Sequence, residues 1–254
     1  DSKLSTLDLS DTKIVGGGEP YFNYGGYETY FTEYNKIGKY AFCSCNNLKR
    51  LTLPKDITSI EQSAFFGCSG LTSITIPSSV TAIGKWSFYD CSSLTSIELP
   101  NSTTTIDESA FQNCTSLASV TLTSNLTSIE SHAFIGCSQL KDVRYNVLDD
   151  LATYIQTDHP EIVIGNNCNC DFKYYQNNQE ITSLKIPAGI TSIGKNVFQK
   201  YNGIQSLTFS PALTSISDLQ FSCDFTNLKS VYVGWQDPIA AGTFFKGADM
   251  SNCT

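Results

Sequence analysis

Clustered positive charge is missing from this sequence. Its 16 Lys and Arg are outnumbered by 24 Asp and Glu, the net charge is −8, and no basic run occurs. Phosphate backbones and anionic membrane surfaces are held by clusters of Lys and Arg, so nucleic-acid binding and basic membrane attachment are set aside. Also missing is any apolar run of about 18 residues, the length a membrane-crossing helix needs. No signal peptide is visible, and the chain starts at Asp1 without a Met. A removed N-terminal segment is the expectation, so the missing signal does not argue for a cytoplasmic protein. Charged residues make up only 16% of the chain. Ser and Thr supply much of the polar surface instead.

What is present is a hydrophobic content of 41% in 254 residues, enough for a globular chain with a continuous core. That content is periodic. Leu48, Leu71, Leu94, Leu117 and Leu140 follow one another at intervals of 23 residues. Leu51, Ile74, Ile97, Val120 and Val143 keep the same interval, as do Leu53, Ile76, Leu99, Leu122 and Tyr145. This is the L-x-x-L-x-L pattern of a leucine-rich repeat, five times in a row. Ile37, Ile60, Ile83, Ile106 and Ile129 share another phase; Phe42, Phe65, Phe88, Phe111 and Phe134 share a third; Cys45, Cys68, Cys91, Cys114 and Cys137 share a fourth. Further strand signatures are Leu4, Leu7 and Leu9, then Ile181, Leu184 and Ile186, then Ile204, Leu207 and Phe209, then Leu228, Val231 and Val233.

One such unit cannot bury its own apolar residues, but stacked coils bury them in a common core. The expected fold is therefore an α/β repeat solenoid. It is a leucine-rich repeat right-handed superhelix with one parallel sheet and short helical or 3₁₀ turns on the outer wall. Pro54, Pro77, Pro100 and Pro187 fall just after the strands, where a missing N–H is tolerable. The phenylalanines are expected to stack from coil to coil.

Four regions follow from the pattern: residues 1–36, an N-terminal strand plus an aromatic insertion; 37–145, the regular array; 146–180, a non-repeat insertion; and 181–254, a second, irregular array whose last coil reads as unfinished at Phe244-Phe245-Lys246-Gly247. In the first insertion, Tyr27, Tyr30, Phe31 and Tyr34 have helical spacing, which favours packing. Tyr21 and Tyr24 are its candidates for binding a glycan or a protein. In the second, Leu148, Leu151, Ala152 and Ile155 form the apolar stripe of a short helix over 147–157. Ile162-Val163-Ile164 and Phe172, Tyr174 and Tyr175 read as strands, with a turn at Asn177-Asn178.

The five in-phase cysteines occupy one equivalent position, so their side chains point the same way, and a buried ladder of free thiols is expected. Cys168-Asn169-Cys170 and Cys43 with Cys45 lack further ligands for zinc, since only His132 and His159 exist. No metal or cofactor is expected. Glu61, Asp107 and Glu130 share a phase and could pair as carboxylates, but turn capping explains them better. Ser near His means little in a Ser-rich repeat, so no catalytic set stands out and an enzyme is not expected. Asn101-Ser102-Thr103, Asn113-Cys114-Thr115, Asn125-Leu126-Thr127 and Asn252-Cys253-Thr254 match the glycosylation sequon.

Residues between the strand leucines face out from the sheet. Most are Ser or Thr, and chemistry concentrates at Arg50, Glu98, Asp142, Arg144, Lys185 and Tyr232, the sheet-face binding candidates. Arg and Tyr are residue types that anchor interfaces.

The copy from Leu71 to Ser93, LTSITIPSSVTAIGKWSFYDCSS, resembles the BspA-like, or TpLRR-type, leucine-rich repeats. The I-P, T-x-I-G, A-F and C-S elements occur in order over about residues 37–145 and 181–233. Departures are Asn101-Ser102-Thr103 in place of I-P-x-x-V, Tyr201 in place of the Cys and Ser217 in place of the Gly, which imply weaker coils. The resemblance implies a secreted or cell-surface protein that binds a host matrix protein or another cell's surface protein. A structural stalk presenting another module and a glycan binder are the alternatives. A monomer without membrane insertion is expected.

Overall fold

A computed structural model describes residues 5–24, 28–148, 150–160, 171–198, 200–213 and 226–233. Tyr27, the Ile162–Ile164 strand, Cys168, Cys170, Ser217, the Phe244 segment and the last sequon lie outside the described residues. The chain forms two compact units, one of residues 1–141 with 163–170 and one of residues 142–162 with 171–254. Each is a β-solenoid.

In the first unit the strands are β1 (Thr6–Asp8), β2 (Gly17–Tyr24), β3 (Glu28–Thr32), β4 (Lys36–Ile37), β5 (Arg50–Thr52), β6 (Ser59–Ile60), β7 (Ser73–Thr75), β8 (Ala82–Ile83), β9 (Ser96–Glu98), β10 (Thr105–Ile106), β11 (Ser119–Thr123) and β12 (Ser128–Ile129). β1, β5 and β7 pair in parallel, as do β9 and β11. Register runs at the repeat interval, Leu51 against Ile74 and Val120 against Ile97. Leu51, Ile74, Ile97 and Val120 are buried while their strand neighbours Arg50, Thr52, Ser73, Thr75, Ser96 and Glu98 are exposed. This is the alternation a strand imposes on its side chains.

The expectation of one parallel sheet is corrected. The T-x-I segments form a second parallel ladder in the order β12-β10-β8-β6-β4. Ile37, Ile60, Ile83 and Ile106 point from it into the core. At its edge the Thr58, Thr81, Thr104 and Thr127 hydroxyls each donate to the carbonyl one coil earlier, at 3.1–3.3 Å. The prolines do turn the chain: Val80 N–H donates to Pro77 O and Thr103 N–H to Pro100 O.

The outer wall is neither helix nor 3₁₀ but a chain of turns. In each coil, alternate N–H groups donate three residues back, as Ala64 to Glu61 and Phe66 to Ser63. The others donate to the next coil: Ser63 to Lys85 O, Phe65 to Ser87 O and Gly67 to Tyr89 O, at 2.7–2.9 Å. A helix would turn every N–H inward along its own axis. Here two residues per coil adopt left-handed φ instead, for example Trp86 (+56°) with Asp90 (+57°) and Ser109 (+56°) with Asn113 (+60°). That reverses the peptide and opens half of the donors to the neighbouring coil.

Behind this wall the phenylalanines stack. Centroids of Phe42, Phe65, Phe88, Phe111 and Phe134 are 5.0–5.3 Å apart with planes within 14°. The ladder cysteines are free, and Cys68, Cys91, Cys114 and Cys137 are buried while Cys45, at the end, is exposed. Each buried thiol donates to a phenylalanine carbonyl of the preceding coil, at 2.9–3.2 Å. Burial pushes the Cys68 and Cys137 thiols up to about 12 and those of Cys91 and Cys114 well above their ordinary value.

The aromatic insertion overturns its helical spacing. β2 and β3 form an antiparallel hairpin, with Phe22 opposite Tyr30. An alternating reading of Tyr30, Phe31 and Thr32 competes with the helical one, and tertiary context favours the strand.

The second unit contains β13 (Asp142–Asn146), α1 (Leu151–Gln156), β14 (Asp171–Gln176), β15 (Gln179–Glu180), β16 (Ser183–Lys185), β17 (Ser206–Thr208) and β18 (Ser230–Tyr232). The expected short helix is α1, capped by the Asp150 carboxylate, which accepts from the Ala152 and Thr153 N–H groups. The bond from the Thr153 side chain holds that carboxyl below its ordinary value. Its buried residues are Tyr154 and Ile155, whereas Leu148 is exposed, so the apolar stripe is displaced from the expected one. β14 pairs parallel to β13, with Phe172 against Val143 and Tyr174 against Tyr145. The Asn177-Asn178 turn, φ +52° and +62°, folds β15 back onto it, as a two-residue hairpin turn of left-handed residues does. β16, β17 and β18 are parallel and in register. Gly194 N–H donates to Ile155 O at 2.7 Å, and a Cβ there would lie 2.0 Å from Thr157 O. Only glycine permits that approach.

Candidate functional site

The sheet-face candidates are distributed over both units. In the first unit Arg50 lies in register between Thr6 and Ser73, and Glu98 beside Thr121. Both are exposed, but strand β7 separates them. Their neighbours on the face are Ser73, Thr75, Ser96 and Ser119, hydroxyls with little to distinguish one coil from the next.

The second unit assembles more. Asp142 and Arg144 alternate on β13 around the buried Val143. Arg144 Nε lies 3.8 Å from Asp142 Oδ2. The guanidinium sits 4.7 Å above the Tyr175 ring and donates to the Tyr175 hydroxyl at 3.4 Å. Lys173 stands next to Arg144 in register. A guanidinium laid on an aromatic face loses little further freedom on binding and keeps most of its five donors for a partner. Asp142 Oδ1 is buried without a hydrogen-bond partner, while Oδ2 faces the arginine on a side chain that is 40% exposed. Lys185 and Tyr232 occupy one row across β16, β17 and β18, with Thr208 between them, and both are exposed.

Tyr175 is the residue that sequence reasoning missed. β13 and β14 are offset by 29 residues, Asp142 against Asp171, so the 23-residue phase does not place Tyr175 beside Arg144. The usable signal was the alternation of buried Phe172 and Tyr174, which turns Lys173 and Tyr175 outward. Tyr21 and Tyr24 lie in the backbone of β2, and their side chains lie outside the described residues.

The carboxylates in phase hold hydroxyls. Ser59 donates to Glu61 at 2.7 Å and Ser128 to Glu130 at 2.6 Å. Asp107 sits above its ordinary value, first through burial and then through Glu130 and Glu61. Among the described residues no group of three or more His, Cys, Asp or Glu could hold a metal, and no helix is long and apolar enough to cross a membrane.

Residues 35–159 and 160–247 match the BspA type leucine rich repeat region, in six copies. Among solved structures the chain is similar to the T. pallidum leucine rich repeat protein, with 29% identity over 66% of this chain and 70% of that one and a TM-score of 0.47. It is also similar to a leucine-rich repeat protein from Bacteroides ovatus, with 21% identity, 96% and 67% coverage and a TM-score of 0.41. A leucine rich cell surface protein from Faecalibacterium prausnitzii shares 22% identity, with 78% and 70% coverage and a TM-score of 0.36. No curated protein matches.

Proposed function

The chain belongs to the BspA type leucine-rich repeat family, and on that premise we propose that it is a non-catalytic protein-binding scaffold of the cell surface or extracellular space. Its partner is a protein of the host matrix or of another cell's surface. The observation that carries this reading is Arg144, stacked on Tyr175 and flanked by Asp142 on an open sheet face. Arginine and tyrosine held together and oriented are what interface centres use. The Lys185–Tyr232 row extends the same chemistry within that unit. The bland hydroxyl face of the first unit supports a second role there, as a structural spacer.

The purified chain, applied to immobilised matrix and surface proteins, tests this. A partner is expected whose affinity falls at least tenfold, about 1.4 kcal/mol, in Arg144→Ala and changes little in Arg50→Ala. Absence of any protein partner, or equal binding by Arg144→Ala, would overturn the reading.

A further inference from the structure

Within the first unit, repeat copies differ least in the core and most on the outer wall. One wall column reads Ser44, Gly67, Asp90, Asn113, Gly136; its neighbour reads Cys43, Phe66, Tyr89, Gln112, Ile135. The sheet face, by contrast, repeats Ser and Thr. Where a repeat protein changes residue from coil to coil without changing its fold, recognition has room to act.

A shallow open furrow runs along this wall, about 470 Å³ in volume, lined by Asn46, Gly67, Ser69, Asp90, Ser92, Asn113 and Thr115. It spans four successive coils, about 14 Å at the strand spacing. Its floor offers no free amide: Gly67, Asp90 and Asn113 N–H groups donate to the next coil's carbonyls, and those of Ser69, Ser92 and Thr115 to carbonyls two residues back. Recognition must therefore come from side chains. Ser69 donates to Asn46 Oδ1 at 3.0 Å, which orients that amide. The Asp90 carboxylate and the Ser92 hydroxyl make no hydrogen bond among the described residues. Gly67 leaves a gap in the column, where its neighbours Ser44 and Asp90 carry side chains.

The lining residues Gly67 and Asp90 each follow an aromatic residue in the chain. Phe66 and Tyr89 stack at 5.0 Å with planes 2° apart and are half-buried, and Asn113 Nδ2 donates to the Tyr89 hydroxyl at 3.4 Å. No lining residue is cationic, and the one ionisable group is Asp90. Phosphate, sulfate and carboxylate ligands are thus disfavoured. Amides and a carboxylate that grip paired hydroxyls, with stacked rings adjoining in the chain for C–H groups, suit an uncharged polyol.

We propose that this furrow binds a neutral carbohydrate chain lying along the stack of coils. This is a second ligand class, taken by residues of the first unit, whereas the protein-binding residues belong to the second. An array of neutral linear oligosaccharides, with sialylated and sulfated chains beside them, tests it, followed by calorimetric titration of the strongest neutral probe. Neutral chains are expected to bind and acidic ones not. Asp90→Gly, which keeps the left-handed backbone free of strain, should weaken binding at least tenfold, and Tyr89→Ala similarly, with melting temperature within a few degrees of the parent. Asp90→Asn should recover part of the loss. Arg144→Ala should leave sugar affinity within twofold, so failure of the protein-binding reading is seen separately. No neutral ligand on the array, stronger binding of acidic chains, or affinity unchanged in Asp90→Gly and Tyr89→Ala would overturn the proposal.

Discussion

The two units fill their cores by different means. In the first, one phenylalanine and one cysteine per coil repeat by translation, so every contact is a copy of the last: near-parallel rings 5.0–5.3 Å apart and thiols bonded to the preceding coil. In the second, Tyr145, Tyr154, Tyr174, Phe198 and Tyr201 form a cluster whose rings meet at 35–71°. His159 stacks on Tyr154 at 4.2 Å and donates from Nε2 to the Tyr154 carbonyl at 3.0 Å. A translated core needs one solution used repeatedly. A clustered core needs each residue fitted to its own neighbours, so replacement residues that suit one unit should fail in the other.

Tyr201 gives the strongest way to break this contrast. It stands where the repeat has Cys, is fully buried, and donates to Ile181 O at 2.9 Å, much as the cysteines donate to carbonyls. Gly203 makes room for it: a Cβ there would lie 2.3 Å from the ring. Tyr201→Cys restores the repeat residue but removes a ring packed against Tyr174 and Phe198. A loss of about 3–5 kcal/mol is expected, read as the denaturant midpoint. Stability at parental level would mean that the second unit obeys the same packing rule as the first.

This substitution also shows what the sequence made legible and why. The repeat interval alone locates the strands, the phenylalanine stack and the thiol ladder, because each is a property of translation. The second parallel ladder was written in the same Ile phase, but a phase does not say which backbone groups pair. Left-handed φ at Ser63, Trp86 and Ser109 was hidden because it falls on residues that do not favour it. Tyr201 read as a weakened coil, whereas with Gly203 it is a matched replacement. Arg144 was legible as a candidate, but its partner Tyr175 was not, since the 29-residue step between β13 and β14 leaves no period to count by.

Alkaline pH should separate the units at an intermediate scale. The ordinary thiol value is 9.0, and in the folded chain Cys68 and Cys137 stand near 12 with Cys91 and Cys114 also raised. Between those values the unfolded chain gives up protons that the folded chain keeps. The thiols' contribution is therefore complete below pH 9 and is lost as pH rises toward 12. Each buried thiol should cost on the order of 1 kcal/mol per pH unit in that window. Melting temperature across pH 8–10.5 should fall, and replacing Cys91 and Cys114 with Ala should cut the slope by about half. An unchanged slope would show that the thiols do not control it. Tyr145, also raised by burial from an ordinary 10.0, adds to the fall only about one pH unit higher, so the second unit responds later.

The smallest effect concerns that same tyrosine. Its hydroxyl is buried with no hydrogen-bond partner, as is the Ser87 hydroxyl in the first unit. The two orphans differ in what surrounds them. Ser87 belongs to a wall position whose N–H closes a turn within its own coil, onto Gly84 O, and whose carbonyl accepts from Phe65 N–H of the preceding coil, so its side chain is incidental to the turn. Tyr145 supplies a ring to the cluster, 5.1 Å from Tyr174 and 6.3 Å from Tyr154, and the hydroxyl comes with the ring. A buried hydroxyl without a partner forfeits its hydration and gains nothing in return. Tyr145→Phe keeps the ring and removes the orphan, so it should be neutral or raise stability by up to about 1 kcal/mol, where Tyr201→Phe, which breaks bonds to Ile181 O and Glu180, should lower it. A loss in Tyr145→Phe as large as that in Tyr201→Phe would show that the Tyr145 hydroxyl is held by bound water, and that the second unit's core is stabilised by a polar network rather than by ring packing.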